Sequence, residues 1–437
     1  MSYFGVPTRN GLAIGLGGVM GLSGNVTAPT RIVATRGEVN LLRAQANTAN
    51  KMRLTGRSRH KAGKVAITSI GASWTNFYVD TSRVENNVGN AVTIRAQLEI
   101  VGAPTPLVQL TFSGALSGSM PDGSVDFPSD LVSASAFGLS SIPAGQVFFM
   151  VTEFTVTSNQ YCPAGPAPQD TGEGATYGDG TQTQIGTAGA IINQSGGAVT
   201  TALPFPSAVV GKTVSPIASA IFFGDSLVYG KGDGGPSGDG GGGGESNGGM
   251  FPRGAWDIGS NYALPWARQA RTGTQAQQAV ANYTKQSGIW RYATHFLCDL
   301  GTNDLNAGRS AAQTVGDLRT LWTAAKTAGM QRAEQMQIIN RCSSSTDAWA
   351  TVANQTVLTG FENGGSKKDP LNTSIAANVG SNGLDAYLGM NTEWADTVVT
   401  DKIRAPGYTT DGVHPTATAA AAMGADATTR FASWTAT

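Results

Sequence analysis

Three short stretches of this chain hold side chains that could do chemistry together. Ser226 stands in Gly224-Asp225-Ser226-Leu227, directly after the apolar run Ala218-Ser219-Ala220-Ile221-Phe222-Phe223. A serine hydroxyl is a poor nucleophile until a neighbouring base takes its proton. Histidine is the usual base, and the chain has three. His60 lies in the basic stretch Arg57-Ser58-Arg59-His60-Lys61, which disfavours its protonated form. His295 sits inside Thr294-His295-Phe296-Leu297-Cys298 and reads as a strand or core residue. His414, in Asp411-Gly412-Val413-His414-Pro415, has an aspartate spaced to reach its far ring nitrogen. Such a carboxylate fixes the tautomer and stabilises the imidazolium formed during attack. Asn303, in Leu300-Gly301-Thr302-Asn303-Asp304, offers amide hydrogens at the end of another apolar run. A preorganised donor to a tetrahedral oxyanion is worth roughly 3–4 kcal/mol. Singly, each stretch has a plainer reading: a solvated loop with a helix cap, or a turn whose Asn and Asp cap the next helix. Together, each at the end of a predicted element, they point to acyl transfer through a serine.

The elements that must position these groups follow from periodicity. A run ending in Ile-Phe-Phe predicts a buried strand, and in open α/β sheets chemistry sits at the carboxyl ends of strands. From Ser219 onward apolar runs alternate with helical patterns: Ala220 to Phe223, Thr294 to Leu300 and Met336 to Ile339 read as strands, with Thr397 to Thr400 as a further candidate. Ala311 to Ala328 places Val315, Leu318, Trp322 and Ala325 on one face, with Gly329 as a C-cap. Pro415 to Trp434 is Ala-rich and opens with proline, a good first helical residue. This alternation predicts a parallel sheet with helices on both faces.

The region before it reads differently. Val92 to Ile100 alternates apolar and polar without a fault, as a half-buried strand should. Val65 to Ile70, Trp74 to Val79, Leu107 to Phe112 and Val147 to Val156 are further strands, and no helical period interrupts them. The expectation is an antiparallel β-sandwich or jelly-roll-like domain over 65–215, irregular beyond Pro163, followed by an α/β domain over 216–437.

Composition narrows the partners. Charged residues are 13% of the chain and the formal net charge is zero, against roughly 25% charged in ordinary soluble proteins. Nothing here calls for a strongly charged partner. Residues 1–64 are the exception, with ten Lys or Arg against Glu38 alone. The basic residues lack interleaved aromatics, so this Gly-rich extension reads as a solvated tether, with a homo-oligomer contact through the N-terminal segment, rather than a nucleic-acid arm. No apolar run approaches the roughly 20 residues of a membrane span. Cys162, Cys298 and Cys342 match neither a disulfide framework nor a zinc pattern. Tyr229 to Gly249 contains a literal G-x-G-x-x-G, Gly230 to Gly235, but Pro236 and the Gly240 to Gly244 run cannot start the helix that would hold a pyrophosphate. A mobile loop beside the site is the expectation, with no cofactor and no metal.

Gly224-Asp225-Ser226-Leu227, Gly301-Thr302-Asn303-Asp304 and Asp411-Gly412-Val413-His414 resemble the first, third and fifth blocks of the SGNH (GDSL) hydrolases. The resemblance covers 218–437, about half the chain. It implies a flavodoxin-like three-layer α/β/α domain in which Ser226 is nucleophile, His414 general base and Asp411 its orienting acid. The oxyanion hole it implies is the Ser226 amide, the Asn303 side chain and a glycine amide of the second block. Ala270-Arg271-Thr272-Gly273-Thr274 occupies that block's place, which nominates Gly273, although the asparagine that often precedes the glycine is missing; Gly288 is the alternative. Asp225 and Asp304 take structural roles near the site. A sandwich before such a domain is similar to the layout of some carbohydrate esterases and of phage or prophage-encoded SGNH proteins, and Tyr3-Phe4-Gly5-Val6-Pro7 has the character of a virion protein. The expected activity is serine ester hydrolysis, with a short acyl group such as acetate on a polysaccharide as substrate. The alternatives are a carboxylesterase or lipase on short acyl lipids, an acyltransferase, and a glycan-binding or virion module. An extracellular or virion-associated location is favoured over a cytoplasmic one.

Overall fold

The computed structural model describes residues 29–167, 170–233 and 248–436. The N-terminal segment to residue 28, expected to mediate oligomer contacts, and residues 234–247 of the expected mobile loop lie outside the described residues.

Two early strands, β1 (Thr35–Glu38) and β2 (Arg53–Lys61), go to different sheets. The antiparallel half is built from β2, β3 (Ile67–Trp74), β4 (Phe77–Val79), β5 (Glu85–Asn87), β6 (Val92–Glu99), β7 (Val147–Thr155), β8 (Gly174–Gly178) and β9 (Ala208–Thr213). β2 lies between β7 and β8 in a seven-stranded sheet that also holds β6; β3 and β9 pair in a five-stranded sheet. Val92, Ile94, Ala96 and Leu98 of β6 meet Ile67, Ile70, Ala72 and Trp74 of β3 in one core, so the two sheets form a sandwich. The alternation read from the sequence is the alternation that fills this core.

The basic stretch to Lys64 is therefore not a solvated tether in its described part. Every residue of β1 and β2 is buried. Their charges are matched by acids brought from far along the chain. Arg36 pairs with Glu173 at 2.6 Å and Asp170 at 3.2 Å, and Arg57 pairs with Glu99 at 2.9 Å. Lys61 donates to the Trp256 carbonyl at 2.9 Å and to Asn261 at 2.8 Å. A local count of charge cannot see partners so distant in sequence.

The second half is a six-stranded parallel sheet. Its own strands are β10 (Ala220–Gly224), β11 (Trp266–Ala270), β12 (His295–Cys298), β13 (Arg332–Met336) and β14 (Ala386–Leu388), in the order β11-β10-β12-β13-β14. That is the 2-1-3-4-5 order of flavodoxin-like sheets, whose ligand crevice lies where the winding reverses, between the first and third strands. β1 is added outside β11, so the N-terminal region completes the sheet. Alternate residues of β10 face opposite helical layers. Ile221 and Phe223 join Leu318 and Trp322 of one helix; Ala220 and Phe222 join Phe251, Met423 and Phe431 of two others. The helices that bear on the site are α1 (Ser226–Tyr229), α2 (Met250–Trp256), α3 (Ala276–Ala281), α4 (Thr302–Asn306), α5 (Ala311–Thr327) and α6 (Ala417–Ala432).

Three element expectations shift. The strand expected at Met336 to Ile339 is Arg332–Met336: two of its polar residues are buried with partners, Glu334 on Arg430 at 2.8 Å and Gln335 on the Leu300 carbonyl at 3.2 Å. Thr397 to Thr400 is a turn with Val398 86% exposed, closed by Asp396 accepting the Val398 and Val399 amides. Pro415 precedes the last helix rather than opening it; Thr416 is the N-cap.

The Arg268–Glu38 pair joins the two halves. Both side chains are buried, and the guanidinium meets the carboxylate through Nε at 3.0 Å and Nη2 at 2.7 Å. Removing one partner of a buried pair strands the other, at a cost of about 3–5 kcal/mol. Glu38→Ala is thus expected to lower the urea-unfolding midpoint sharply. A midpoint unchanged from the wild type would contradict the pairing.

Candidate active site

β10 ends at Gly224, and the next turn is held by two aspartates. Asp225 caps α1, its Oδ1 accepting the Leu227 N–H at 2.9 Å. Asp299, directly after β12, accepts the Asp225 N–H on Oδ1 and the Val228 N–H on Oδ2, each at 3.0 Å. The Tyr229 N–H goes to the Asp225 carbonyl at 3.0 Å. Of the amides from Asp225 to Tyr229, only that of Ser226 has no acceptor among the described residues. Residue 224 must be glycine for packing reasons alone: a Cβ there would fall 1.8 Å from Asp299 Oδ1.

The loop before α6 brings the imidazole to this turn. His414 Nε2 lies 2.9 Å from Ser226 Oγ, and Nδ1 lies 2.6 Å from Asp411 Oδ2. A carboxylate can only accept, so Nδ1 carries the hydrogen and Nε2 is left to accept from the serine hydroxyl. Asp411 Oδ1 accepts the Val413 and His414 amides, each at 2.9 Å. Burial alone would raise the Asp411 carboxyl, but hydrogen bonds from the His414 ring and amide outweigh it and hold it well below the usual carboxylate range. Gly412, at φ +78°, lets the loop pass close to its neighbours: a Cβ would lie 2.4 Å from the Cys342 carbonyl oxygen and 2.5 Å from the Trp349 ring. The base of the glycine-rich stretch borders the same histidine, since a Cβ on Gly232 would lie 2.9 Å from His414 Cβ. Asp233 then closes that base on Arg253 with contacts of 2.6 and 2.7 Å.

Asn303 arrives from α4. Its Nδ2 donates to Asp225 Oδ2 at 2.7 Å and to the Thr274 carbonyl at 3.2 Å. Thr274 follows Gly273, which sits at φ +78° in the turn after β11, and the Gly273 amide has no acceptor among the described residues. Gly288 is elsewhere: a Cβ there would press on the Val125 carbonyl oxygen of the sandwich at 2.7 Å. Asp304 accepts the Ala276 N–H at 2.8 Å and so holds the start of α3. The other two histidines are buried apart from this cluster. His60 stacks on Phe148, with burial lowering its pKa to about 4, and His295 stacks on Trp434, lowered to about 3 chiefly by burial. Among the described residues no group of three or more His, Cys, Asp or Glu could hold a metal.

Two site residues were missed in the sequence. Asp299 stood unremarked inside the apolar run Thr294 to Leu300, where a lone acid is itself a signal. Burial and then the charge of Asp299 raise the Asp225 carboxyl well above its usual range; burial pushes Asp299 up to about 6. Arg341 follows β13 and its charge acts on both Asp225 and Asp411, while its buried Nη1 has no hydrogen-bond partner among the described residues. Nothing in its local sequence marked it.

The three motif blocks thus stand at the ends of β10 and β12 and before α6, around the crevice of a 2-1-3-4-5 sheet. Residues 218–436 form a flavodoxin-like three-layer α/β/α domain, the architecture that the motif resemblance implies. No family model and no curated protein matches the chain. Among solved structures, the chain is similar to a GDSL-like lipase from Bacteroides thetaiotaomicron, at 16% identity over 47% of this chain and 84% of that one, with a TM-score of 0.31. It is also similar to a psychrotrophic esterase from Pseudoalteromonas, at 14% identity over 48% and 93%, TM-score 0.33. A family two carbohydrate esterase from Clostridium thermocellum, solved in complex with cellohexaose, aligns over 92% of this chain and 94% of its own at 12% identity, TM-score 0.35.

Proposed function

We propose that the protein is a serine ester hydrolase acting through an acyl-enzyme, on short acyl groups, acetate above all, carried by a saccharide. The observation that carries the reading is the continuous chain Asp411–His414–Ser226, with contacts of 2.6 and 2.9 Å. Ser226 Oγ attacks the acyl carbon while its proton passes to His414 Nε2. Asp411 keeps Nδ1 protonated and stabilises the imidazolium. The proton then goes to the departing alcohol oxygen as the C–O bond breaks. Water, deprotonated by the same Nε2, attacks the acyl-enzyme; the acyl–Oγ bond breaks, the proton passes from Nε2 back to Ser226 Oγ, and the acid is released. The oxyanion would take the unengaged amides of Ser226 and Gly273. Both Nδ2 hydrogens of Asn303 have acceptors, and the longer contact, to Thr274 at 3.2 Å, is the one an oxyanion would replace.

A saccharide substrate is supported by Trp349, half-buried beside Gly412 and held at φ +69°, a sparsely populated conformation for a bulky residue. Its turn is fixed by Ser345, which accepts the Trp349 amide at 3.0 Å, and by Asp347, which takes Thr351 at 2.6 Å and Asn354 at 3.0 Å. An aromatic ring fixed at that cost beside the Asp411–His414 loop gives a sugar ring an apolar face to lie on.

The test pairs a fluorophosphonate probe, read by mass spectrometry, with p-nitrophenyl esters of increasing chain length. Labelling at Ser226 and activity highest on acetate are expected. Activity rising beyond butyrate would replace the acetyl-ester reading with a lipid-type esterase. No labelling and no turnover, with saccharide binding retained, would leave a binding module.

A further inference from the structure

β4 and β5 form a hairpin of the sandwich half that reaches onto the α/β half. Its second strand docks by a carboxylate: Glu85 accepts the N–H groups of Lys285 at 2.7 Å and Gln286 at 2.8 Å. Its tip docks by a guanidinium: Arg83 donates Nε at 3.1 Å and Nη2 at 2.8 Å to the Thr272 carbonyl. The tip is built tightly. Asp80 accepts the Ser82 and Val84 amides at 2.7 and 3.0 Å and the Asn86 side chain at 2.9 Å. Arg83 itself lies at φ +67°, in the left-handed region that side-chain-bearing residues visit sparsely.

The carbonyl it clamps belongs to the residue before Gly273. The guanidinium lies so close to the glycine that a Cβ there would fall 2.2 Å from Arg83 Nη2. One residue further, the Thr274 carbonyl receives Asn303. The turn that presents the Gly273 amide is therefore held from one side by the sandwich half and from the other by the site.

We infer that Arg83 is a positioning residue for ester hydrolysis: by clamping the Thr272 carbonyl it fixes the Gly273 amide as an oxyanion donor, and so makes turnover in the α/β half depend on the sandwich half. The inference rests on reading the Gly273 amide as part of the oxyanion hole. A forked, planar cation suits the task because its Nε and Nη2 donors converge on one carbonyl oxygen and fix its direction, which a single ammonium does not. Misplacing a catalytic dipole by about 1 Å can cost about a hundredfold in rate.

The test uses the full chain with p-nitrophenyl acetate. Arg83→Ala is expected to lower kcat by about 10–100-fold, with KM and the thermal midpoint close to the wild type. Millimolar guanidinium chloride should restore part of the loss, and sodium chloride at the same ionic strength should not. Wild-type kcat in Arg83→Ala, or a loss that tracks a lowered thermal midpoint and is not rescued, overturns the inference. Should the alanine variant fail to fold, Arg83→Lys carries the test: lowered kcat at unchanged KM supports positioning, and wild-type kcat overturns it. Ser226→Ala run in parallel separates the two levels. If it keeps its turnover, the hydrolase reading itself falls. If it is inactive while the Arg83 variants match the wild type, only the role of Arg83 falls.

Discussion

Ser226→Ala is expected to lower kcat on an acetyl ester by roughly ten-thousandfold to a millionfold, and to leave the thermal midpoint within a few degrees of the wild type. The hydroxyl caps no helix and its one side-chain hydrogen-bond partner among the described residues is the His414 ring, so its removal leaves the fold intact. His414→Ala should cost about as much as Ser226→Ala, and the double variant should be no worse than either. A nucleophile without its base and a base without its nucleophile fail for the same reason, so their losses do not add. Asp411→Asn separates tautomer from structure. An asparagine can still accept the Val413 and His414 amides on Oδ1, so the loop should hold. Its amide would present hydrogens to Nδ1, forcing the ring hydrogen onto Nε2, where it cannot take the serine proton. The expected loss is about ten-thousandfold in kcat. Steady-state kinetics with a thermal melt on each variant decides. A Ser226→Ala enzyme with wild-type turnover would end the serine mechanism, and an additive double variant would separate the serine from the histidine.

What could be read from the sequence and what could not divide on one physical line. Strands whose side chains are apolar announce themselves: Ala220 to Phe223 and the alternation from Val92 are where they were expected. Short motifs at strand ends do as well, because a serine after Ile-Phe-Phe or an Asp-x-x-His before a helix carries its geometry with it. The failures lie where polar residues are buried against partners remote in sequence. β2, with Arg53, Arg57, Arg59 and Lys61, is a central strand because Glu99 and Asn261 are waiting for its cations. β13 was displaced by four residues because Glu334 is matched by Arg430, nearly a hundred positions away. β1 joins the parallel sheet across the whole sandwich, through the Glu38–Arg268 pair. Asp299 was hidden for the same reason. Its fitness for an apolar run depends on two amides from another strand end.

That buried acid pair yields the other large expected effect, in which activity and stability move apart. Asn303→Ala should lower kcat by roughly a hundred- to a thousandfold, the loss of one oxyanion donor. Asp225→Asn should approach the same loss by another route. Asp225 Oδ2 accepts from Asn303 at 2.7 Å, and an amide nitrogen in its place would set donor against donor and turn Asn303 from its position. The consequences for stability depend on pH. Both carboxyls of the Asp225–Asp299 pair are raised, Asp225 by burial and by its neighbour's charge, and Asp299 by burial to about 6. An unfolded aspartate titrates near 3.9, so the folded state binds these protons more tightly. Their contribution to stability is complete below about pH 3.9 and is lost as pH climbs through about 6 and above. The depressed Asp411 acts in the other window, losing its contribution as pH falls below about 3.9. Asp225→Asn removes one of two acids that repel in a buried space. The melting temperature of the variant relative to the wild type should therefore rise between pH 5 and pH 8, while kcat stays low throughout. A difference in melting temperature that is flat or falls over that range would mean that the Asp225 carboxyl is not raised in the folded protein. A kcat unaffected by the substitution would mean that Asp225 does not orient Asn303. The two readouts fail independently, since the first reports the charge buried beneath the nucleophile and the second the direction in which the Asn303 amide points.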